Sequence, residues 1–193
     1  MAKAGMAADK KGAAARGSPI VFLDESGFML RPVRRRTWAP SGQTPIHRAW
    51  DRHDRLSAVG FIGVSPARRL SLYFHLWPEN VDTFHMIWLL RLLHRHYRRH
   101  VVLVWDRWNV HQSAAAYFEA RHPTWFTFEP LPSYCPELNP VEQCWNYTKY
   151  SDLPNFIPDD LKHLSKAVGA SIRRQSKNQK LLRSFFAYAK LPL

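Results

Sequence analysis

The chain has 193 residues and carries 28 Lys and Arg against 15 Asp and Glu, a formal net charge of +13. Hydrophobic residues make up 46% of the chain and aromatic residues 13%, so a core can form without disulfides or structural metals. This composition excludes a disordered chain, a collagen-like fibre and a disulfide scaffold. The excess positive charge predicts a polyanionic partner, most commonly nucleic acid or an anionic membrane.

A membrane partner is disfavoured by the hydropathy of the chain. The richest apolar run, residues 86–93, is interrupted by Arg91 and is far shorter than the about 20 residues that span a bilayer. The first twenty residues lack the apolar stretch of a secretory signal. The two cysteines, Cys135 and Cys144, form no paired metal-binding motif and suit a reducing compartment. We therefore expect a cytoplasmic protein that binds nucleic acid and no membrane.

The chain divides into a short leader and one domain. Residues 1–18 are rich in Ala, Gly and Lys and predict a flexible basic leader, or alternatively an expression or reading-frame remnant. Residues 19–193 are predicted to form the domain. Apolar runs bounded by turn residues predict strands at 20–23, 28–38, 56–64, 69–77, 101–105 and 125–128, with a turn at 24–27. Helices are predicted after residue 78, through 114–119, from 139, from 159 and over 180–188, which gives a mixed α/β pattern.

Two of the apolar runs end in an aspartate, Asp24 after residues 20–23 and Asp106 after residues 101–105. A carboxylate at the end of a buried strand costs free energy unless it is paired or binds a cation. Either aspartate alone is explained by a turn or a helix cap, but two in one basic protein favour a shared site. If the two strands are adjacent and parallel, both carboxylates meet at one edge of the sheet.

A third acid, Glu142, follows a proline-rich segment. Asn139 and Pro140 predict a helix N-cap and first helical position, which makes Glu142 the third residue of that helix. A glutamate there is either a capping-box residue that turns back to the Asn139 amide or a metal ligand, and local sequence leaves both open. Glu137 is the rival acid, in a setting that looks more solvated.

Four segments carry a family resemblance: residues 24–28, residues 36–45, Asp106 with residues 111–113, and residues 131–145. Together they resemble the DDE endonuclease domain of mariner-like bacterial insertion-sequence transposases, the insertion-sequence 630 group. The resemblance covers about residues 20–150, and thirty-five residues separate Asp106 from Glu142, close to the spacing expected in this superfamily.

The resemblance implies an α/β fold, a ribonuclease-H-like mixed five-stranded sheet flanked by helices. Asp24, Asp106 and Glu142 would be the catalytic triad and would hold two Mg²⁺ or Mn²⁺ ions, since hard cations prefer oxygen ligands. The implied activity is cleavage of transposon-end DNA followed by attack of the freed 3′ hydroxyl on target DNA. The alternatives are a catalytically silent DNA-binding or assembly subunit, and a related metal-dependent endonuclease without strand transfer.

The resemblance also implies partners and a location. Transposition joins two DNA ends, so a homodimer on DNA is expected. Transposases of this kind resemble proteins with helix-turn-helix modules before the catalytic domain, whereas about eighteen simple residues precede the first strand here. We therefore expect a separate helix-turn-helix chain or a frameshift-fused N-terminal part. The bacterial cytoplasm, in association with the nucleoid, is the expected location.

Several basic residues are candidate DNA contacts. Arg31, Arg34, Arg35 and Arg36 are predicted to bind phosphate, with a solvated, charge-protected edge strand as the alternative. The basic helix face that runs from Arg91 to Arg99, by contrast, is better explained by solvation.

Three residues near the acids leave alternatives open. Arg107 stands where the family usually carries Asn or another small residue, and either adds a cation beside the metal site or points outward to a phosphate. His111 contacts the scissile phosphate or has a structural role at a helix start. Glu25 is expected to face away from Asp24 because strand residues alternate.

Overall fold

The computed structural model describes residues 17–46, 54–132 and 135–193, so most of the predicted leader lies outside the described residues. Five strands form one sheet in the order β3-β2-β1-β4-β5. β1, β2 and β3 are antiparallel, whereas β4 is parallel to β1 and β5 is parallel to β4. The mixed five-stranded sheet is therefore confirmed. The strands are β1 (Ile20–Met29), β2 (Arg55–Val64), β3 (Leu70–Trp77), β4 (Val101–Trp105) and β5 (Phe126–Pro130).

Five helices cover the two faces of the sheet. Helices α1 (Thr83–Tyr97) and α2 (Asn109–Arg121) pack on one face; α3 (Pro140–Tyr147), α4 (Leu161–Ser176) and α5 (Gln179–Tyr188) pack on the other. Four of these helices begin at a side-chain cap, which satisfies an otherwise unpaired backbone N–H. The caps are Asp82, Asn139, Asp160 and Asn178. In the described part of the chain, no helix has the length and apolar character to cross a membrane.

The first strand differs from its prediction. The turn expected at residues 24–27 and the separate strand at 28–38 are both wrong, because β1 continues to Met29. Each residue from Asp24 to Met29 pairs with a β2 residue, from Gly60 to Arg55. Backbone pairing with β2 therefore outweighs the local turn preference of this segment. Residues 32–40 form no regular secondary structure.

The alternation of β1 assigns its residues to two cores. Val21 and Leu23 are buried under α1 and α2, whereas Phe22 is buried under α3, α4 and α5 together with Val104 of β4. Successive side chains of a strand point to opposite faces. Asp24, two residues after Phe22, therefore faces α3.

Candidate active site

The parallel pairing of β1 with β4 aligns the two aspartates. Phe22 is the register partner of Val104, and each aspartate follows its strand residue by two positions. The adjacent, parallel arrangement that the sequence left conditional is thus present. Pairing between these strands extends only from Ile20 to Phe22 on the β1 side. Beyond Phe22, β1 pairs with β2 alone, so β4 no longer pairs with β1 at the level of Asp24.

Trp145 of α3 contacts Asp24 directly. Its indole Nε1 donates a hydrogen bond to Oδ2 of Asp24 at 2.8 Å. The ring occupies the space beside Gly60, the β2 partner of Asp24, where an added Cβ would lie 2.7 Å from two ring carbons. The absent side chain at Gly60 is therefore what allows α3 to approach the sheet at the level of Asp24.

Asn139 fixes the start of the helix that carries Glu142. Its side chain accepts from the N–H of Val141 at 3.2 Å and donates to the carbonyl of Leu23 at 2.9 Å. The helix start is thus attached to β1 one residue before Asp24. The N–H of Asn139 itself donates to Pro136, so the capping-box interpretation of Glu142 is wrong.

Lys149 belongs to the site and was missed from the sequence. It lies in a π-helical turn, Thr148–Asp152, that continues α3. Its Nζ donates to Oγ of Ser26 at 2.7 Å and lies 5.2 Å from the centre of the Phe28 ring. Burial lowers the pKa of Lys149, while the charges of Glu142 and Asp24 oppose that shift. The available signal was its spacing of seven residues from Glu142, about two helical turns along one face.

The carboxylates on this side of the site are destabilised as anions. Burial, and then the charges of Glu142 and Glu25, raise the pKa of Asp24 well above its usual range, with only partial relief from Trp145. Burial also raises the pKa of Glu142, with Lys149 acting against it. A bound cation would relieve this concentration of negative charge.

Asp106 has the opposite environment. Its side chain is 58% exposed, and its Oδ1 accepts hydrogen bonds from Nδ1 of His111 at 2.6 Å and from the N–H of Trp108 at 2.9 Å. The hydrogen bond from His111 lowers the pKa of Asp106; burial opposes it, and the Trp108 N–H adds to the lowering. Asp106 is therefore held ionised.

His111 joins Asp106 to Glu25. The ring is 1% exposed, stacks on Trp105 with centroids 4.4 Å apart, and places Nε2 2.9 Å from Oε1 of Glu25. Burial alone would lower the pKa of His111, but the two carboxylates outweigh it and raise that pKa to about 9. The ring is therefore an imidazolium with both nitrogens engaged, which fits the structural role that the sequence left open better than a phosphate contact.

The predicted arginine cluster lies beside the π-helical turn. Arg31, Arg34, Arg35 and Arg36 are exposed. Arg35 donates from Nη1 to the carbonyl of Tyr150 at 2.6 Å and from its backbone N–H to Oδ1 of Asn155 at 2.8 Å. An open cavity of about 490 Å³ is lined by Arg34, Arg35, Arg36, Thr37, Pro45 and Asn155.

Arg107 follows Asp106 and is also exposed. Its carbonyl accepts a hydrogen bond from Nε2 of Gln112 at 2.8 Å. This bond fixes the backbone of Arg107, whose side chain lies on the surface.

The donor set suits a hard divalent cation. Carboxylate oxygens are the ligands that Mg²⁺ and Mn²⁺ prefer, and the pKa of Asp24 is raised by burial and then by the neighbouring charges of Glu142 and Glu25. Within residues 17–46, 54–132 and 135–193, however, no three His, Cys, Asp or Glu side chains are grouped so as to hold a metal ion together. The hydrogen bonds of Asp106 to His111 and Trp108 account for its orientation.

The sequence matches the DDE superfamily endonuclease family over residues 19–165. The chain belongs to this family. The predicted DDE endonuclease domain is thereby confirmed. No curated protein matches the sequence.

Solved structures of one transposase share the fold. The Mos1 transposase paired-end complex with left transposon end has a TM-score of 0.67 at 16% identity, covering 96% of this chain and 56% of that chain. The Mos1 mariner paired end complex with Mn has a TM-score of 0.63 at 19% identity, covering 89% of this chain and 52% of that chain. The catalytic domain of Mos1 mariner transposase has a TM-score of 0.54 at 14% identity, covering 94% of this chain and 81% of that chain. This chain thus spans about half the length of the transposase chains in the two paired-end complexes. The ribonuclease-H-like fold is confirmed.

Proposed function

We propose that this chain is the catalytic domain of a transposase, in which Asp24, Asp106 and Glu142 form the active site. The observation that carries the proposal is the parallel register of β1 and β4, which puts Asp24 and Asp106 two positions beyond a matched residue pair. The parallel register aligns the two aspartates, and Asn139 and Trp145 attach the helix of Glu142 to β1 beside Asp24. Membership of the DDE endonuclease family supports the same assignment.

In this proposal the three carboxylates hold two Mg²⁺ or Mn²⁺ ions, which supply the positive charge for in-line attack on a phosphodiester. Trp145 holds Asp24, His111 holds Asp106, and Lys149 partly offsets the charge of Glu142. Arg31, Arg34, Arg35, Arg36 and Arg107 bind DNA phosphates at the rim of the site. The reaction is cleavage of a transposon end followed by 3′-hydroxyl transfer into target DNA.

The finer assignments rest on the sequence resemblance. They are an origin in the insertion-sequence 630 group, a bacterial cytoplasm as location with nucleoid association, a homodimer on DNA, and recognition of the DNA ends by a helix-turn-helix part. The division into a leader, residues 1–18, and a catalytic domain, residues 19–193, belongs to the same proposal.

Nicking of a labelled supercoiled plasmid with Mg²⁺ or Mn²⁺ tests the proposal. The wild type should nick, and Asp24→Asn, Asp106→Asn and Glu142→Gln should each abolish nicking. Glu137→Gln is the matched control, since Glu137 is the neighbouring exposed acid and should be dispensable. DNA binding without nicking, also after addition of the helix-turn-helix chain, would support the silent subunit. Nicking without joining of a supplied 3′ end would support a plain endonuclease.

A further inference from the structure

The end of the sheet opposite the carboxylates is strongly basic. β1, β4 and β5 all begin there, as do the connections from α1 to β4 and from α2 to β5. The turn between β2 and β3 lies at the same end, because Val64 pairs with both Ile20 and Leu70. We call this surface the basic end and define it by five exposed arginines: Arg68, Arg95, Arg98, Arg99 and Arg121.

The basic end has almost no compensating acid. Between residues 83 and 118 the chain contains one acid, Asp106, which lies at the other end of the sheet. Glu119, in α2, is the nearest acid in sequence to Arg121. In the part of the chain that the structure describes, Arg95, Arg98 and Arg99 form no salt bridge. Unpaired arginines at this density attract a polyanion.

The arginines stand on a fixed platform. The ring of Trp125 is stacked between His94, at 3.9 Å, and His122, at 4.0 Å. His94 lies in the last turn of α1 and His122 is the C-cap of α2, so one tryptophan fixes the ends of both helices. Arg95 and Arg121, the chain neighbours of those histidines, are therefore held at a constant separation.

Two of the arginines occupy backbone conformations that disfavour a side chain. Arg68 has φ +57° and Arg98 has φ +51°, both in the left-handed region. Arg98 is the C-cap of α1, a place usually taken by Gly or Asn, and its N–H donates to the carbonyl of His94 at 2.7 Å. A residue other than Gly is strained in this conformation.

We propose that the basic end binds a second segment of duplex DNA, separate from the segment that reaches the carboxylates. The inference rests on the proposed function, since a strand-joining enzyme must hold two DNA segments. Asp24 is four residues after Ile20, the first residue of β1, so about 13 Å of strand separates it from the start of the sheet. The carboxylates and the basic end lie at opposite ends of the parallel strands and face away from each other, so a short straight duplex bound at the carboxylates does not also cover the basic end. The guanidinium group of arginine is planar, and when exposed it suits contacts with phosphate.

The test measures capture of a second duplex by the full chain. The protein is loaded on an immobilised duplex of about 30 base pairs, and binding of a fluorescent duplex is followed over a salt series. The basic-end variant carries Arg95→Gln and Arg98→Gly, and the control variant carries Lys162→Gln and Lys166→Gln. The control removes the same charge from the first turns of α4. Gln179, which accepts from the N–H of Leu70 near the β2–β3 turn, begins α5 just beyond the opposite end of α4.

The basic-end variant should capture the second duplex at least about tenfold more weakly than the wild type. The slope of log affinity against log salt concentration should become less steep by about 2, one for each phosphate contact removed. It should melt at or above the wild-type temperature, because Gly relieves the backbone at position 98. Plasmid nicking should be retained, so failure of the proposed function is seen separately. Unchanged capture, an equal loss in the control, or preferential capture of single-stranded RNA or of an acidic protein would each overturn the inference.

Discussion

Asp24 and Asp106 occupy matched positions on adjacent parallel strands, yet their surroundings shift their pKa values in opposite directions. Asp24 lies inside a strand beside Trp145, and burial and then the neighbouring acids raise its pKa. Asp106 follows the end of a strand, is largely exposed, and its pKa is lowered by the His111 imidazolium. One aspartate is thus costly to ionise without a cation, whereas the other is kept ionised by the protein itself.

The two aspartates therefore contribute to cation binding in different ways. The Asp24 side gains most from a bound cation, because burial and neighbouring charge penalise its anionic form. The Asp106 side is prepared in advance by His111, whose Nδ1 donates to the Asp106 carboxylate at 2.6 Å while its Nε2 is held by Glu25 at 2.9 Å. A substitution beside one aspartate should therefore leave the surroundings of the other intact.

Asp24→Asn should have the largest effect. Nicking should fall by more than about 10³-fold, as for loss of a catalytic ligand. The metal-free fold should nevertheless become more stable at neutral pH, since Asn still accepts from Trp145 and carries no buried charge. Wild-type stability should rise as pH falls through the raised pKa of Asp24 toward its ordinary value, and the variant should lack this rise. Nicking assays check the loss of activity, and melting curves from pH 5 to 8 check the gain in stability. A variant less stable than the wild type at neutral pH would contradict the claim that the Asp24 anion destabilises the metal-free fold.

Gly60→Ala should displace the helix that carries Glu142. The new Cβ would meet the Trp145 ring at 2.7 Å, so α3 must move or the ring must leave Asp24. Overpacking of this kind costs about 2 kcal/mol, or roughly 4–8 °C in melting temperature at this size. Gly27→Ala in β1 is the matched control, because nothing lies within 4 Å of its added Cβ. Equal melting temperatures for the two variants would refute the packing argument.

His111→Gln should act on the Asp106 side alone. A pKa raised to about 9 means that the imidazolium stabilises the fold fully below about pH 6.5, and that this contribution is lost as pH rises toward 9. The contribution is at most about 3 kcal/mol. Urea titrations at pH 6 and pH 9.5 should show wild-type stability falling and the variant nearly flat. Parallel pH profiles for the two proteins would show that His111 is not the group involved.

Lys149→Met should have the smallest effect. Without the ammonium, the pKa values of Glu142 and Asp24 rise further, because a neighbouring positive charge has been removed. The acidic limb of the nicking profile should move to higher pH, with a few-fold loss at low pH that is recovered at high pH. Lys162→Met, on the exposed start of α4, should leave the profile unchanged.

The sequence predicted the positions of the three acids but not how they are held. Local patterns indicated the buried runs before Asp24 and Asp106 and the capped helix of Glu142, because each is a property of neighbouring residues. The turn at residues 24–27 was wrong because pairing with β2, some thirty residues away, decides the conformation there. The contacts of Lys149 with Ser26 and of His111 with Glu25 join residues more than eighty positions apart, which no local pattern encodes.

Mn²⁺ binding followed by electron paramagnetic resonance tests the central claim most directly, since it requires neither DNA nor a recognition partner. The account predicts that the wild type binds Mn²⁺ and that Asp24→Asn with Glu142→Gln weakens binding at least about tenfold, whereas Glu137→Gln does not. Equal Mn²⁺ affinity in the wild type and the double variant would contradict the claim that these carboxylates form one metal-binding site.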